Sequence, residues 1–143
     1  MYGVDSVVHP AYRGRGVGGK LIEARYDIVR RMNLRGMVAG SLIRDYYKVA
    51  DRVPVETYVQ DVIDGVRFDS NLSKQIKKGF KVYGLIPDYS EAEESLGWGV
   101  VIVWQNPDYR PGAPQRRVVT PSRYRVQLNS RVSRRVQRPQ PGL

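Results

Sequence analysis

The sequence contains no cysteine and only one histidine among its 143 residues. The absence of cysteine excludes disulfides, thiolate metal sites and a cysteine nucleophile. A single histidine supplies too few imidazole ligands for a histidine-based metal site, so we expect no bound metal. No apolar run is long enough to span a membrane, and no signal-peptide pattern opens the chain. We therefore expect a cytoplasmic protein that has no membrane partner.

Acidic residues are absent from the C-terminal quarter of the chain. Residues 109–143 contain no aspartate or glutamate but carry nine arginines, at positions 110, 116, 117, 123, 125, 131, 134, 135 and 138. Removing these nine charges from the net charge of +10 leaves about +1 for residues 1–108. The segment is also rich in proline and has little apolar periodicity. This composition predicts one modest domain over 1–108, followed by a disordered tail over 109–143.

The basic tail has two interpretations. Arginines neutralise phosphates and release counterions, and Tyr124 between Arg123 and Arg125 is placed to stack on a base. Nucleic acid is therefore one possible partner of residues 109–143. An arginine-rich, proline-rich composition also arises in a chain terminus under weak constraint, and that interpretation needs no partner at all.

A glycine-rich turn near the N-terminus is the most informative feature of the sequence. Apolar Val7 and Val8 precede it, four glycines occupy positions 14, 16, 18 and 19, and an amphipathic helix begins at Val17. Glycines let the backbone N–H groups of such a turn converge, and the helix adds the positive end of its dipole. Arg13 and Arg15 supply positive charge beside the turn, although Arg15 can equally be a solvated side chain. The arrangement predicts a site for the phosphate or pyrophosphate of a cofactor.

The same glycines also satisfy a second pattern. Gly14-x-Gly16-x-x-Gly19 matches the dinucleotide-binding fingerprint, which further requires an acidic residue about 20 positions on, at the end of the second strand. The second predicted strand ends without an acid, and Asp45 comes too late. We therefore prefer a phosphate turn of another kind over an NAD site.

The order of predicted elements is that of an α/β domain with a mixed sheet and helices on its faces. Alternating apolar residues between turn signals predict strands over 4–9, 37–42, 81–85 and 98–104. Helical periodicity predicts helices over 17–32, 54–66 and 71–78, the last capped by Asp69 or Ser70. The remaining segments are a loop or short helix over 44–48 and an acidic loop over 87–95. The strand–helix–strand unit at the start predicts two parallel strands.

Two motifs carry a resemblance to a known superfamily. Arg13-x-x-Gly16-x-Gly18, preceded by Val8-His9-Pro10-Ala11-Tyr12, closely resembles the acyl-CoA-binding motif of the GCN5-related N-acetyltransferases (GNAT). Gln75-Ile76-Lys77-Lys78-Gly79-Phe80 resembles the helix ending in Gly-Phe in the same superfamily. The chain also looks like the acetyltransferase domain fused to carbon–nitrogen hydrolases in some bacteria, through Asn33-Leu34-Arg35-Gly36-Met37-Val38-Ala39-Gly40, Gly79-Phe80-Lys81-Val82-Tyr83-Gly84, Pro87-Asp88-Tyr89 and Trp104-Gln105-Asn106-Pro107-Asp108-Tyr109.

The resemblance covers about residues 4–109 and implies a partial GNAT-type fold, its C-terminal portion. It implies an acyl-CoA-dependent N-acyltransferase that passes acetyl from acetyl-CoA to an amine by direct attack. The implied cofactor-binding residues are Val7, Val8, Arg13, Gly14, Arg15, Gly16, Val17, Gly18 and Gly19. The turn would hold the CoA pyrophosphate, and the backbone of 6–9 would pair with the pantetheine arm and donate to the thioester oxygen.

The resemblance leaves the acid–base residues unassigned. Many members use a tyrosine five residues before the phenylalanine of Gly-Phe, and that position is Gln75 here, which cannot act as an acid. Tyr46, Tyr47 and Tyr58 lie in the neighbouring segment as candidates, with Tyr46 and Tyr47 either acceptor-pocket walls or ordinary packing. Asp5 is a candidate base or a solvated carboxylate. His9 is a proton relay or a capping residue, and the acidic loop either attracts an amine or is simply solvated.

The chain starts almost on the phosphate turn, whereas the superfamily has several strands and two helices before it. A fragment or short gene product is one explanation, and a sheet completed by another copy or another chain is a second. A non-catalytic CoA-binding remnant is a third.

Overall fold

The computed structural model describes residues 1–3 and 6–114. The candidate base Asp5 and the tail beyond residue 114 lie outside the described residues. The described elements are β1 (Tyr2–Gly3), α1 (Val17–Arg31), β2 (Gly36–Leu42), α2 (Val55–Ile63), α3 (Leu72–Lys77), β3 (Lys81–Ile86) and β4 (Gly99–Gln105), with short 3₁₀ helices at Pro10–Tyr12, Tyr46–Lys48 and Glu93–Ser95. None of the helices in this part of the chain has the length and apolar character needed to cross a bilayer.

The four strands form one mixed sheet in the order β1-β2-β4-β3. β1 is parallel to β2, with Tyr2 opposite Val38 and Gly3 opposite Ala39, and the other two pairings are antiparallel. The mixed sheet and the parallel β1–α1–β2 unit are as the sequence predicts. β1 is a short edge strand, and no further strand of the described residues pairs with its outer side.

The buried core lies on one face of this sheet. Side chains alternate along a strand, and the buried side chains of β2 and β4 fall on the same alternating set, which comprises Met37, Ser41, Val100, Ile102 and Trp104. α1 covers this face through Tyr26, which stacks on Trp104, and Gln75 of α3 and the preceding N-cap residue Asn71 bond to Ser41 there. The opposite face carries the more exposed Val38 and Tyr83.

Two sequence-based boundaries are wrong. Residues 6–9, the described part of the predicted strand over 4–9, form no strand, and Val7 is 81% exposed. The reason is that this segment turns towards the 3₁₀ helix at Pro10, where the side chain of Arg13 bonds to the carbonyl of Val8 at 3.1 Å. The helix α2 ends at Ile63 instead of residue 66, because the chain reverses at Gly65 with a φ of +75°.

Residues at the start of the predicted tail contact the domain. Asn33, at the end of α1, accepts a hydrogen bond from the backbone N–H of Arg110 at 2.9 Å and donates one to the Arg110 carbonyl at 2.9 Å. The guanidinium of Arg35 lies 5.8 Å from the ring centroid of Tyr109. These contacts place residues 109–113 beside the end of α1.

Candidate functional site

The glycine-rich turn presents free backbone donors at the start of α1. Gly14 and Gly16 have φ values of +73° and +74°, the left-handed region that side chains other than glycine rarely adopt. Gly16 is the N-cap of α1, and no side chain caps the helix there. The first intrahelical bond runs from Lys20 N to Gly16 O, so the N–H groups of 17–19 have no partner in the helix ladder. This is an anion-binding geometry.

The space around these glycines is open. A methyl group built on Gly14 or Gly16 would meet no atom within 4 Å, so the turn faces solvent and not the core. On Gly18 it would meet Val8 at 4.0 Å, because the Val8 side chain lies over the first turn of α1. Glycine at 14 and 16 is therefore required by backbone conformation, and it also leaves room for a ligand.

Positive side chains stand beside the turn. The guanidinium of Arg13 donates through Nε to Val8 O, which holds the segment before the turn against it. The guanidinium of Arg15 lies 5.6 Å from the ring centroid of Tyr12. His9 accepts a hydrogen bond at Nδ1 from the backbone N–H of Ala11, at 3.3 Å, and so serves as the cap of the 3₁₀ helix. The capping interpretation of His9 accounts for its position.

Lys78 lies beside the glycine-rich turn, and the sequence did not predict this position. Its Nζ would lie 3.6 Å from a methyl group built on Gly19, and it forms an ion pair of 2.8 Å with Glu23. The hydroxyl of Tyr26 donates to the backbone carbonyl of Lys78 at 2.8 Å, which fixes the end of α3 against α1. A lysine in the middle of a helix-end motif gives no local sign that it will reach a turn 59 residues away.

The described pairing of β1 with β2 is short. It comprises Tyr2 opposite Val38 and Gly3 opposite Ala39, and β2 continues to Leu42. Val7 and Val8, two predicted ligand-binding residues, lie outside any strand, in the segment that precedes the glycine-rich turn.

A polar cluster lies on the inner face of the sheet around Ser41. The hydroxyl of Ser41 on β2 bonds to the side-chain oxygen of Gln75, and the Asn71 amide donates to Ser41 Oγ at 3.1 Å and to Leu42 O at 2.9 Å. Ser41 is buried. Gln75 thus has a structural partner in the strand and carries no ionisable group that would act as an acid.

The tyrosine candidates are separated by the fold. Tyr46 is buried and donates to Val53 O at 3.1 Å, and burial raises the pKa of its hydroxyl. Tyr58 is buried and donates to Asp69 Oδ2 at 2.8 Å, and burial together with this bond raises its pKa. Tyr47 is half exposed and borders a shallow depression with Glu93 and Glu94. Only Tyr47 of the three is exposed enough to meet an acceptor.

Asp69 and Asp45 have structural partners. The buried Asp69 accepts at Oδ1 from the N–H groups of Asn71 and Leu72, at 2.9 and 2.7 Å, and so caps α3 as the sequence suggests. Asp45 pairs with Lys48 at 2.6 Å and accepts from the N–H of Ser70. Asp45 is therefore committed elsewhere, which agrees with the preference against a dinucleotide site. The described residues contain no cluster of three metal ligands.

The curated proteins similar to this chain include an N-acetyltransferase and a probable hydrolase. No protein-family model matches it. It is 34% identical over 110 residues to the uncharacterized N-acetyltransferase YkwB of Bacillus subtilis (strain 168), covering 77% of this chain and 49% of YkwB. It is 35% identical over 117 residues to the probable hydrolase YhcX of the same organism, covering 81% of this chain and 23% of YhcX.

Solved structures agree with this placement. A GNAT-like decarboxylase, GphF, in complex with isobutyryl-CoA matches with a TM-score of 0.58 and 26% identity, over 69% of this chain and 52% of that one. The loading GNATL domain of CurA from Lyngbya majuscula matches with a TM-score of 0.55 and 21% identity, over 68% and 50%. The chain belongs to the GCN5-related N-acetyltransferase superfamily.

Membership confirms the resemblance carried by the two motifs, and the match to YhcX agrees with the resemblance to hydrolase-fused acetyltransferase domains. The GNAT-type mixed sheet is confirmed as well. The chain spans half or less of the curated relatives it matches, at 23% and 49% of their lengths.

Proposed function

We propose that this GNAT chain binds an acyl-CoA and transfers the acyl group, in the first instance acetyl, to an amine. The observation that carries the proposal is the uncapped start of α1, where Gly14 and Gly16 in left-handed conformation expose backbone donors. A pyrophosphate is the anion suited to several convergent N–H groups beside a helix dipole. Acyl-CoA carries such a pyrophosphate, and the GphF structure holds isobutyryl-CoA.

Backbone and side-chain groups both bind the pyrophosphate in this proposal. The N–H groups over 13–19 donate to its oxygens, while Arg13, Arg15 and Lys78 supply positive charge. The carboxylate of Glu23 keeps Lys78 close to the first turn of α1. Because these charges lie at the surface, they contribute to affinity in a salt-dependent way.

The backbone of residues 6–9 is the proposed partner of the pantetheine arm. This backbone, including Val7 and Val8, pairs with the arm as a strand would, and an N–H there donates to the thioester oxygen as negative charge develops.

Transfer requires an unprotonated amine and a proton for the departing thiolate. The amine nitrogen attacks the thioester carbonyl carbon, the carbon–sulfur bond breaks, and sulfur leaves with the bonding electrons. Acidic side chains near Tyr47, namely Glu93 and Glu94, favour the approach of a cationic amine to this side of the molecule. Asp5 stays a candidate base on the segment after β1.

A non-catalytic CoA-binding role is the second candidate, and Gln75 favours it. This residue occupies the position at which the resemblance implies a tyrosine acid, and its side chain is held by Ser41. A chain that kept the phosphate turn but lost the proton donor would bind acyl-CoA without transferring the acyl group.

Isothermal titration calorimetry of the full chain with acetyl-CoA, and separately with NAD, tests the proposal. We expect saturable binding of acetyl-CoA and none of NAD. Binding of NAD alone would replace the proposal by a dinucleotide site. Acetyl-CoA binding without acetylation of any member of a panel of primary amines would favour the second candidate.

Nucleic-acid binding by the tail stays a separate hypothesis. Its sign would be a steep dependence of DNA or RNA affinity on salt concentration that disappears when residues 109–143 are removed.

A further inference from the structure

The strand β4 is apolar on both of its faces. Every residue from Val100 to Trp104 is apolar, and the alternate set that faces the helices is buried in the core. A strand without polar alternation is typical of a sheet that is covered on both sides. Val101 and Val103, which point away from the helices, are nevertheless only partly buried. The side of the sheet to which they point is called the outer face below.

The neighbouring strands add large apolar side chains to the outer face. Residues directly opposite one another on paired strands share a face, and Val103 lies opposite Val38 of β2, which lies opposite Tyr2 of β1. The hydroxyl of Tyr83 on β3 accepts a hydrogen bond from the side chain of Gln105, the next outer-face residue of β4. Tyr2, Tyr83 and Val38 are 68%, 59% and 40% exposed. The outer face thus carries an apolar patch across all four strands, and such patches mark association surfaces.

Charges of opposite sign lie at the two ends of the outer face. At one end Lys81, the first residue of β3, lies on this face through its register with β4 and is exposed. At the other end the loop over 87–95 carries four exposed acids, Asp88, Glu91, Glu93 and Glu94. The ring of Tyr89 places this loop against the outer face, because a methyl group built on Gly40 or Gly99 would overlap it.

A second copy of the chain matches this distribution of charge. Two copies that stack outer face on outer face, about a two-fold axis lying across the strands, have their strands running in opposite directions. The Lys81 end of each copy then lies over the acidic loop of the other. The apolar patch around Val38 and Val103 meets its own counterpart. Each charge pairing forms twice, and the contact closes at two copies. An axis along the strands would instead set like charges against each other.

We propose that the chain forms a homodimer by stacking the outer faces of two sheets in this antiparallel arrangement. The sheets lie about 10 Å apart, as in other face-to-face packings. The four strands cover roughly 400 Å², less than the about 800 Å² per partner that is usual in a stable interface, so the dimer dissociates on dilution. The inference concerns a surface other than the glycine-rich turn and does not depend on acyl-CoA binding.

Sedimentation velocity of the full chain, from low micromolar to near millimolar concentration, measures the association. We expect a reversible monomer–dimer equilibrium in the wild type. Val38→Glu places a carboxylate at the centre of the outer face, where the contact buries it without a partner, and should raise the dimer Kd about 100-fold or more. The matched control, Val66→Glu, adds the same charge at a valine after α2 that is 78% exposed, and should keep the wild-type Kd.

Charge reversal tests the antiparallel arrangement. Lys81→Glu and Glu91→Lys each set like charges against one another at both ends of the interface. We expect each to raise the dimer Kd about threefold to tenfold at low salt. The double variant restores opposite charges in exchanged positions and should recover most of the wild-type affinity.

A wild type that stays monomeric over the whole concentration range overturns the proposal. A folded Val38→Glu variant that dimerises like the wild type overturns it as well. Unchanged dimer Kd values in both Lys81→Glu and Glu91→Lys overturn the antiparallel arrangement. Circular dichroism shows whether each variant is folded. If Val38→Glu is unfolded, Tyr83→Glu at an exposed position of the same face takes its place, and the same loss of dimer is expected.

Discussion

The ring of Tyr26 lies almost parallel to the indole of Trp104, with the ring centroids 3.9 Å apart and the planes inclined by 11°. The Arg30 guanidinium, one turn further along α1, lies 5.4 Å from the indole centroid. This stack joins the helix that follows the glycine-rich turn to the central strand β4. The position of the proposed anion site relative to the sheet depends on it.

Removal of the indole should therefore loosen α1. Trp104→Ala empties a buried aromatic site, and we expect it to lower the free energy of unfolding by about 3–5 kcal/mol. Tyr26→Phe keeps the stack and loses only the hydroxyl bond to Lys78 O, at a cost of about 0.5–1.5 kcal/mol. Urea denaturation of both variants measures the difference. Equal losses would show that stacking adds nothing to the attachment of α1.

Alanine substitutions at two strand glycines, Gly36 and Gly84, are predicted to have opposite effects on stability. A methyl group on Gly36 would overlap the backbone carbonyl of Trp104, which cannot rotate away, whereas one on Gly84 meets nothing within 4 Å. Gly36→Ala should lower the free energy of unfolding by more than about 1 kcal/mol. Gly84→Ala should be neutral or raise it by up to about 1 kcal/mol, since it restricts the unfolded chain. Thermal unfolding of both variants and the wild type measures these effects. A Gly84→Ala variant less stable than the wild type would contradict the prediction.

Alkaline pH should destabilise the domain through its buried tyrosines. Burial raises the pKa of Tyr26, Tyr46 and Tyr58 above the ordinary value of 10.0. Above pH 10.0 the unfolded chain releases these protons while the folded chain retains them. The stabilisation is therefore complete below that pH and is lost as pH rises above it.

The test is the free energy of unfolding measured from about pH 8 to 11. Tyr58→Phe should show a shallower decline than the wild type, although it is less stable at neutral pH because Asp69 loses a donor. Tyr83→Phe, at an exposed site, should retain the wild-type slope. A slope unchanged in Tyr58→Phe would be inconsistent with its burial.

Lys78 should contribute to acyl-CoA affinity by charge. Lys78→Gln is expected to weaken binding by up to about fivefold at low salt, the range of an exposed charge interaction, and to reduce the salt dependence. Lys77→Gln removes the same charge one residue away, on an exposed side chain, and should leave the Kd unchanged. Equal effects of the two variants would indicate that Lys78 acts only through the overall positive charge of the domain and not through its position near Gly19.

Local signals in the sequence predicted most of the elements. Glycines at 16 and 36 bound α1 on either side, and alternating apolar residues located β2, β3 and β4 to within a residue or two. These signals depend on neighbouring residues alone, so no knowledge of the fold is needed. The phosphate turn was predicted for the same reason, because its glycines and arginines are contiguous.

The errors and omissions involve contacts between distant residues. Val7 and Val8 have the residue types of a strand, but in the folded chain the side chain of Arg13 bonds to the carbonyl of Val8. Lys78 meets Gly19 only after α3 packs on α1. The ring of Tyr89 lies against Gly40 in the folded domain, and the only local sign of this contact is a glycine inside a strand.

The central claim is that the turn over 13–19 binds the pyrophosphate of an acyl-CoA. Calorimetric titration with acetyl-CoA of the wild type, Gly16→Glu and Gly65→Glu tests it most directly. Gly16 and Gly65 have φ values of +74° and +75°, and neither has an atom within 4 Å of a built methyl group, so the two substitutions impose the same backbone strain and charge. The account predicts wild-type affinity in Gly65→Glu and a loss of about tenfold or more in Gly16→Glu. Equal affinity in the two variants would contradict it.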